Sequence, residues 1–93
     1  VFEAGRWRAI DATWVMLGLD PDNHALRVTG RAAVAAIDEA TVYWLNDKKR
    51  FALAAMVEYM VELLAGALRS AAALDPSVDT ATAIEGLLEP ADQ

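Results

Sequence analysis

FALAAMVEYMVELLAGALRSAAAL, running from Phe51 to Leu74, carries charge only at Glu58, Glu62 and Arg69. At 100° per residue these three fall on one narrow stripe of a helix, and almost everything else around the cylinder is apolar. One flank of the stripe holds Val57, Val61, Leu64 and Leu68; the other holds Met56, Tyr59, Leu63 and Leu74; Leu53, Met60 and Ala67 lie behind. A small domain can cover one such flank with its own helices, but covering both calls for more protein. The stretch is therefore expected to pack inward and also against a partner chain.

Working outward, Phe2, Trp7, Ile10, Trp14 and Leu17 recur at helical spacing and predict an amphipathic first helix of about four turns that stops at Gly18. Pro21 disfavours helix at Asp20, and Asp20, Asp22 and Asn23 are competent caps for a second helix starting near residues 22–24 and reaching about Asn46. Its polar line is Arg27, Arg31 and Asp38, opposite Leu26, Ala33, Ile37, Ala40 and Trp44, with Gly30 a weak spot. Asn46 and Asp47 are expected to close this helix and cap the third, which makes the two antiparallel neighbours. Asp75 and Pro76 stop the third helix, and Asp79 or Thr80 caps a short fourth one carrying Ile84, Leu87 and Leu88. No segment alternates with period two for long enough to be a strand. The expected architecture is all-α: one domain over residues 1–93, an antiparallel helical bundle of three main helices plus a short C-terminal helix.

The 93 residues include no cysteine, and 56% of them are hydrophobic. That is more apolar material than a domain this small can easily hide, and it has no disulfides to staple it. Self-association is the economical outlet, and a homodimer is expected. No apolar run escapes charge for the roughly 18 residues a membrane span requires, so no membrane is expected as a partner. The absence of cysteine fits a reducing compartment, and the cytoplasm is the expected location. The start on Val1, without an initiator Met or a signal-peptide pattern, reads as a domain of a longer protein.

Catalytic chemistry finds little footing. The single histidine, His24, sits in a polar turn, so neither a triad nor a histidine-rich metal site assembles from these residues. Asp20, Asp22 and His24 imitate the opening of a calcium loop, but Ala25 stands where glycine is needed and Arg31 where the bidentate glutamate belongs, so capping is the better reading. Glu58 and Glu62 lack the further carboxylates and Glu-x-x-His pairs of a di-metal bundle. The chain is read as no enzyme, with no cofactor and no metal. The aromatic residues are more informative: Trp7 and Trp14 share one helix face, and with Met56, Tyr59 and Met60 they are expected to line a pocket for a small apolar or aromatic effector.

The stretch from Arg31 to Leu68, RAAVAAIDEATVYWLNDKKRFALAAMVEYMVELLAGAL, resembles the last two long helices of TetR-family transcriptional regulators. A small-residue-rich helix ends in Trp44-Leu45, and the helix after the turn carries Leu63, Leu64, Ala65, Gly66, Ala67 and Leu68 in a leucine-leucine-small-glycine-leucine pattern. The resemblance implies that these two helices from two subunits build a four-helix dimer interface, for which Ala40, Trp44, Val57, Val61, Leu64 and Leu68 are the expected contacts. It also implies an effector pocket enclosed by the preceding helices, and operator DNA reached only through an N-terminal helix-turn-helix domain of roughly fifty residues that is not among the 93. The expected function is thus effector sensing and homodimerisation in a TetR-like bacterial repressor, with effector binding shifting the population toward a subunit spacing that misfits two operator half-sites. The alternative is a helical protein–protein interaction module without a small-molecule ligand.

The formal net charge is −6, and the one basic cluster, Lys48, Lys49 and Arg50, lies in an inter-helix turn beside Asp47. Gripping a phosphate backbone requires Lys and Arg gathered on one face. In an electrophoretic shift with mixed-sequence duplexes at physiological salt, these residues are expected to retard nothing. Salt-sensitive retardation that vanishes on neutralising Lys48, Lys49 and Arg50 would reassign the triplet to nucleic-acid contact.

Overall fold

Four helices build the structure, a computed structural model that describes residues 2–88: α1 (Phe2–Met16), α2 (His24–Asn46), α3 (Leu53–Leu74) and α4 (Thr80–Leu88). The described residues are all-helical apart from turns. α2 and α3 pair as a long hairpin, α1 crosses the first half of α2, and α4 lies against α3. Of the first-helix stripe, Ile10 and Trp14 are buried, Trp7 and Leu17 half-buried, and the Phe2 side chain lies outside the described residues.

Each helix ends for a local reason. Gly18 takes φ +77°, its N–H donates to the Val15 carbonyl at 3.0 Å, and the Leu19 N–H donates to the Trp14 carbonyl at 2.8 Å. This is a Schellman turn, and its accompanying apolar contact is Leu19 packing on the core around Trp14. Asn23 caps α2 by accepting from the Leu26 N–H at 3.1 Å, and its Nδ2 donates to Asp75 Oδ2 at 2.9 Å. One side chain thereby ties the start of α2 to the end of α3. Asp79 caps α4 through the Thr82 N–H at 3.1 Å.

The expected shared cap between the second and third helices is replaced by a longer connection. Asp47 closes α2, with its N–H on the Tyr43 carbonyl at 2.9 Å, but α3 starts only at Leu53, behind Ala52, which has no side-chain cap to offer. Lys48 and Lys49 both adopt left-handed backbone, with φ 62° and 50°. The Lys49 N–H reaches back to the Trp44 carbonyl at 3.1 Å, and the Trp44 indole N–H donates to the Phe51 carbonyl at 2.8 Å. These two bonds hold in shape a turn that its own residue types disfavour.

The core gathers Ile10, Trp14, Leu26, Leu68, Ala71 and Ala83. Trp14 is 1% exposed, and its indole N–H donates to the Leu26 carbonyl at 3.1 Å across Gly30. Gly30 is therefore a crossing point rather than a weak spot: a Cβ there would overlap Ile10 Cγ2 and stand 3.3 Å from Trp14 Nε1. The polar line of α2 is likewise the docking edge for α1. Arg27 lies 4.0 Å from the Trp7 ring centroid and Arg31 5.3 Å, Arg31 pairs with Glu3 at 2.9 Å, and Asp38 pairs with Arg6 at 2.9 Å. Exposed pairs of this kind contribute about 1 kcal/mol or less each, so they orient α1 while burial of Ile10 and Trp14 holds it. Small residues divide between the two roles open to them: Ala33 and Ala65 are buried, whereas Ala32, Ala36 and Ala54 face solvent as helix formers.

Two outcomes test this packing. Gly30→Ala gains up to about 1 kcal/mol of helix propensity but overpacks the Ile10 contact by about 1–3 kcal/mol, so thermal unfolding should show a net loss, and a raised Tm would contradict the crossing. The Ser77 hydroxyl, Asn23 and the Ser77 N–H hold the Asp75 carboxyl below its ordinary 3.8, and the Thr82 N–H does the same for Asp79. A depressed folded pKa gives stability that is present above the ordinary value and lost as pH falls through the folded one. Urea midpoints should therefore drop as pH goes below 3.8, and more steeply in the wild type than in the Asp75→Asn, Asp79→Asn double variant.

Candidate functional site

Val42, Tyr43, Trp44 and Leu45 are four successive large apolar or aromatic residues near the end of α2, and at 100° steps they point to every side of that turn. The opening of α3 answers with Leu53, Ala54, Ala55, Met56 and Val57. α1 engages α2 between Leu26 and Asp38, so it stops short of this end of the hairpin. Of the four residues, only Trp44 is half-buried; Val42, Tyr43 and Leu45 are exposed, as are Phe51, Leu53, Val57 and Tyr59.

Between the two helices at this end lies an open groove of about 560 Å³, within the usual range for small-molecule sites. Buried Met56 and half-buried Trp44 and Ala40 line its deeper part, and exposed Ala55 and the exposed rings of Tyr43, Phe51 and Tyr59 surround it. Glu39, Tyr43 and Asp47 follow one another at four-residue spacing and so share one edge of α2. Glu39 and Asp47 are the charged residues of the lining; Asp47 is paired with Arg50 at 3.0 Å, whereas Glu39 has no ion-pair partner among the described residues. Lys48 and Lys49 do not line the groove.

The expected pocket residues separate into two places. Met56 and Tyr59 line the groove, and Met60 is half-buried one turn along α3. Trp14 sits in the core beside a recess of about 110 Å³ shared with Ile10, Gly30 and Leu64, and Trp7 lies beneath Arg27 and Arg31. The tryptophans of α1 and the residues of α3 do not meet around one cavity. Thirteen residues of helix between Gly30 and Tyr43 put about 20 Å between the crossing and the groove. Phe51 carries no site signal in helical spacing; what places it at the groove is the bond from the Trp44 indole N–H to its carbonyl.

The expected dimer contacts also divide. Ala40 and Trp44 belong to the aromatic groove, while Val57 and Val61 line a second groove of about 720 Å³ shared with Leu87 and Leu88 of α4. Leu64 is half-buried against the core, and Leu68 is 0% exposed within the chain itself, which leaves its side chain nothing to offer a second copy. The reason is α4: its Ala83 packs with Leu68 and Ala71 in the core, while Val57 stays exposed at the start of α3.

No family model, curated protein or solved structure matches the chain. The TetR resemblance accordingly rests on the residues that carry it. Among the described residues, no helix is long and apolar enough to cross a membrane.

Proposed function

We propose that this chain is a homodimerising, effector-sensing helical domain of the kind a TetR-like regulator uses, with the end of the α2–α3 hairpin as its association surface. The observation that carries the reading is the turn of α2 at residues 42–45, four successive large apolar or aromatic side chains that α1 leaves uncovered. Large apolar side chains gathered on one turn favour an interior, and neither α1 nor α4 supplies one there. With Leu53 and Val57, this end leaves Val42 and Leu45 half or more exposed beside the groove, a cluster of large apolar side chains that a second copy of the chain would cover.

The aromatic groove supports the sensing half of the proposal. Val42, Leu45, Leu53 and Val57 lie outside its lining, so a ligand in the groove and a second copy on the hairpin end would be neighbours. A ligand that prefers one subunit arrangement shifts the population toward it by its difference in affinity for the two.

Light scattering at micromolar concentration should give twice the 10.0 kDa chain mass. Leu45 and Val57 are 50% and 52% exposed in the single chain, so Leu45→Asp and Val57→Asp spare the core. Each should weaken association by about a thousandfold, since desolvating an unpaired carboxylate takes several kcal/mol, while helix content stays unchanged. A wild-type monomer over that range, or a dimer indifferent to both substitutions, would remove the association surface from this end of the hairpin.

A further inference from the structure

We propose that the ligand of the α2–α3 groove is a small organic cation with an aromatic or branched apolar body; the proposal rests on the reading of that groove as the effector site. The Trp44 indole N–H is occupied by the Phe51 carbonyl, and the Asp47 carboxylate by Arg50. What the lining leaves for a ligand is the Glu39 carboxylate and the hydroxyls of Tyr43 and Tyr59, set among ring faces. A carboxylate accepts and does not donate, and the face of an aromatic ring is its negative side, so both draw a positive charge inward. An anion would meet Glu39 with no cation in the lining to offset it. A neutral apolar compound would bury its area but draw nothing from the exposed Glu39 carboxylate, which attracts a cation.

The volume adds a bound. About 560 Å³ admits a body of several rings, and its open side excludes a requirement for complete dehydration of the charge. A delocalised or quaternary cation, weakly hydrated to begin with, fits a groove of rings better than a primary ammonium does.

Tetraphenylphosphonium and its isosteric anion tetraphenylborate provide the test, by equilibrium dialysis against the protein with the chain mass followed by light scattering on the same samples. Saturable binding of the cation is expected at a single site per chain, about tenfold or more tighter than the anion. Glu39→Gln should reduce cation affinity about five- to tenfold and leave the anion's unchanged or improved, and Tyr43→Ala should reduce cation affinity by a further few-fold. Both side chains are exposed, so neither change threatens the core. Anion binding equal to or tighter than cation binding, or a cation affinity indifferent to Glu39→Gln, overturns the cation assignment while leaving the groove a ligand site. Failure of both ions to bind overturns the effector site itself. A monomeric mass with cation binding intact overturns the dimer alone.

Discussion

The contact on which the rest of the structure depends is the Trp14 indole laid across Gly30, with its N–H on the Leu26 carbonyl at 3.1 Å. A buried indole N–H without an acceptor would be unfavourable, and the spare lone pair of a helical carbonyl supplies one only where the backbone can be approached. Gly30, one turn beyond Leu26, makes that approach possible, and Ile10 fills the same gap one turn earlier on α1. The position of α1 follows from it. Leu26, Trp14 and Leu68 are the largest fully enclosed side chains, and all three gather at this crossing.

Placing α1 low on the hairpin has a second consequence at the other end. α2 and α3 are each more than thirty ångströms long at about 1.5 Å per residue, and one short crossing helix cannot cover them throughout. α4 encloses Leu68 and Ala71 of α3, and the 42–59 end stays apolar and open. The turn there is the least comfortable backbone in the described chain, with Lys48 and Lys49 both left-handed at roughly 1–2 kcal/mol each. Its compensation is the pair of bonds converging on Trp44, one at its carbonyl and one at its indole. Those bonds also place Phe51 at the groove, so the feature that stabilises the turn shapes the candidate site.

Electrostatics follow the same division of labour. Near the crossing, Arg6, Arg27 and Arg31 are matched by Asp38, the Trp7 ring and Glu3, which sets the direction of α1. At the hairpin end Arg50 is matched by Asp47, and Glu39 is left over beside the rings. An unpaired carboxylate in solvent is ordinary; one that shares a groove with three exposed rings and a tryptophan gives that groove a chemical preference.

Helix number, order and approximate ends were legible in the residues themselves, because apolar period, Gly18, Asn23, Asp75 and Asp79 are local signals that act within a few positions. The surplus of apolar side chains was legible for the same reason: from Phe51 to Leu74 only Glu58, Glu62 and Arg69 are charged, on one narrow stripe. Which surplus residues would be covered was not. Leu68 and Val57 belong to the same flank by spacing, yet α4 encloses the first and leaves the second open. Gly30 reads as a flaw from propensity and becomes the crossing only when Trp14 is laid over it, and Trp7 and Trp14 read as one face with Met56 and Tyr59 until some twenty ångströms of helix separate them. Sequence by itself determined the elements and their apolar excess, since both follow from contacts close along the chain. Tertiary structure alone decided where the excess is spent and where it remains open, since that depends on which distant helix arrives at each turn.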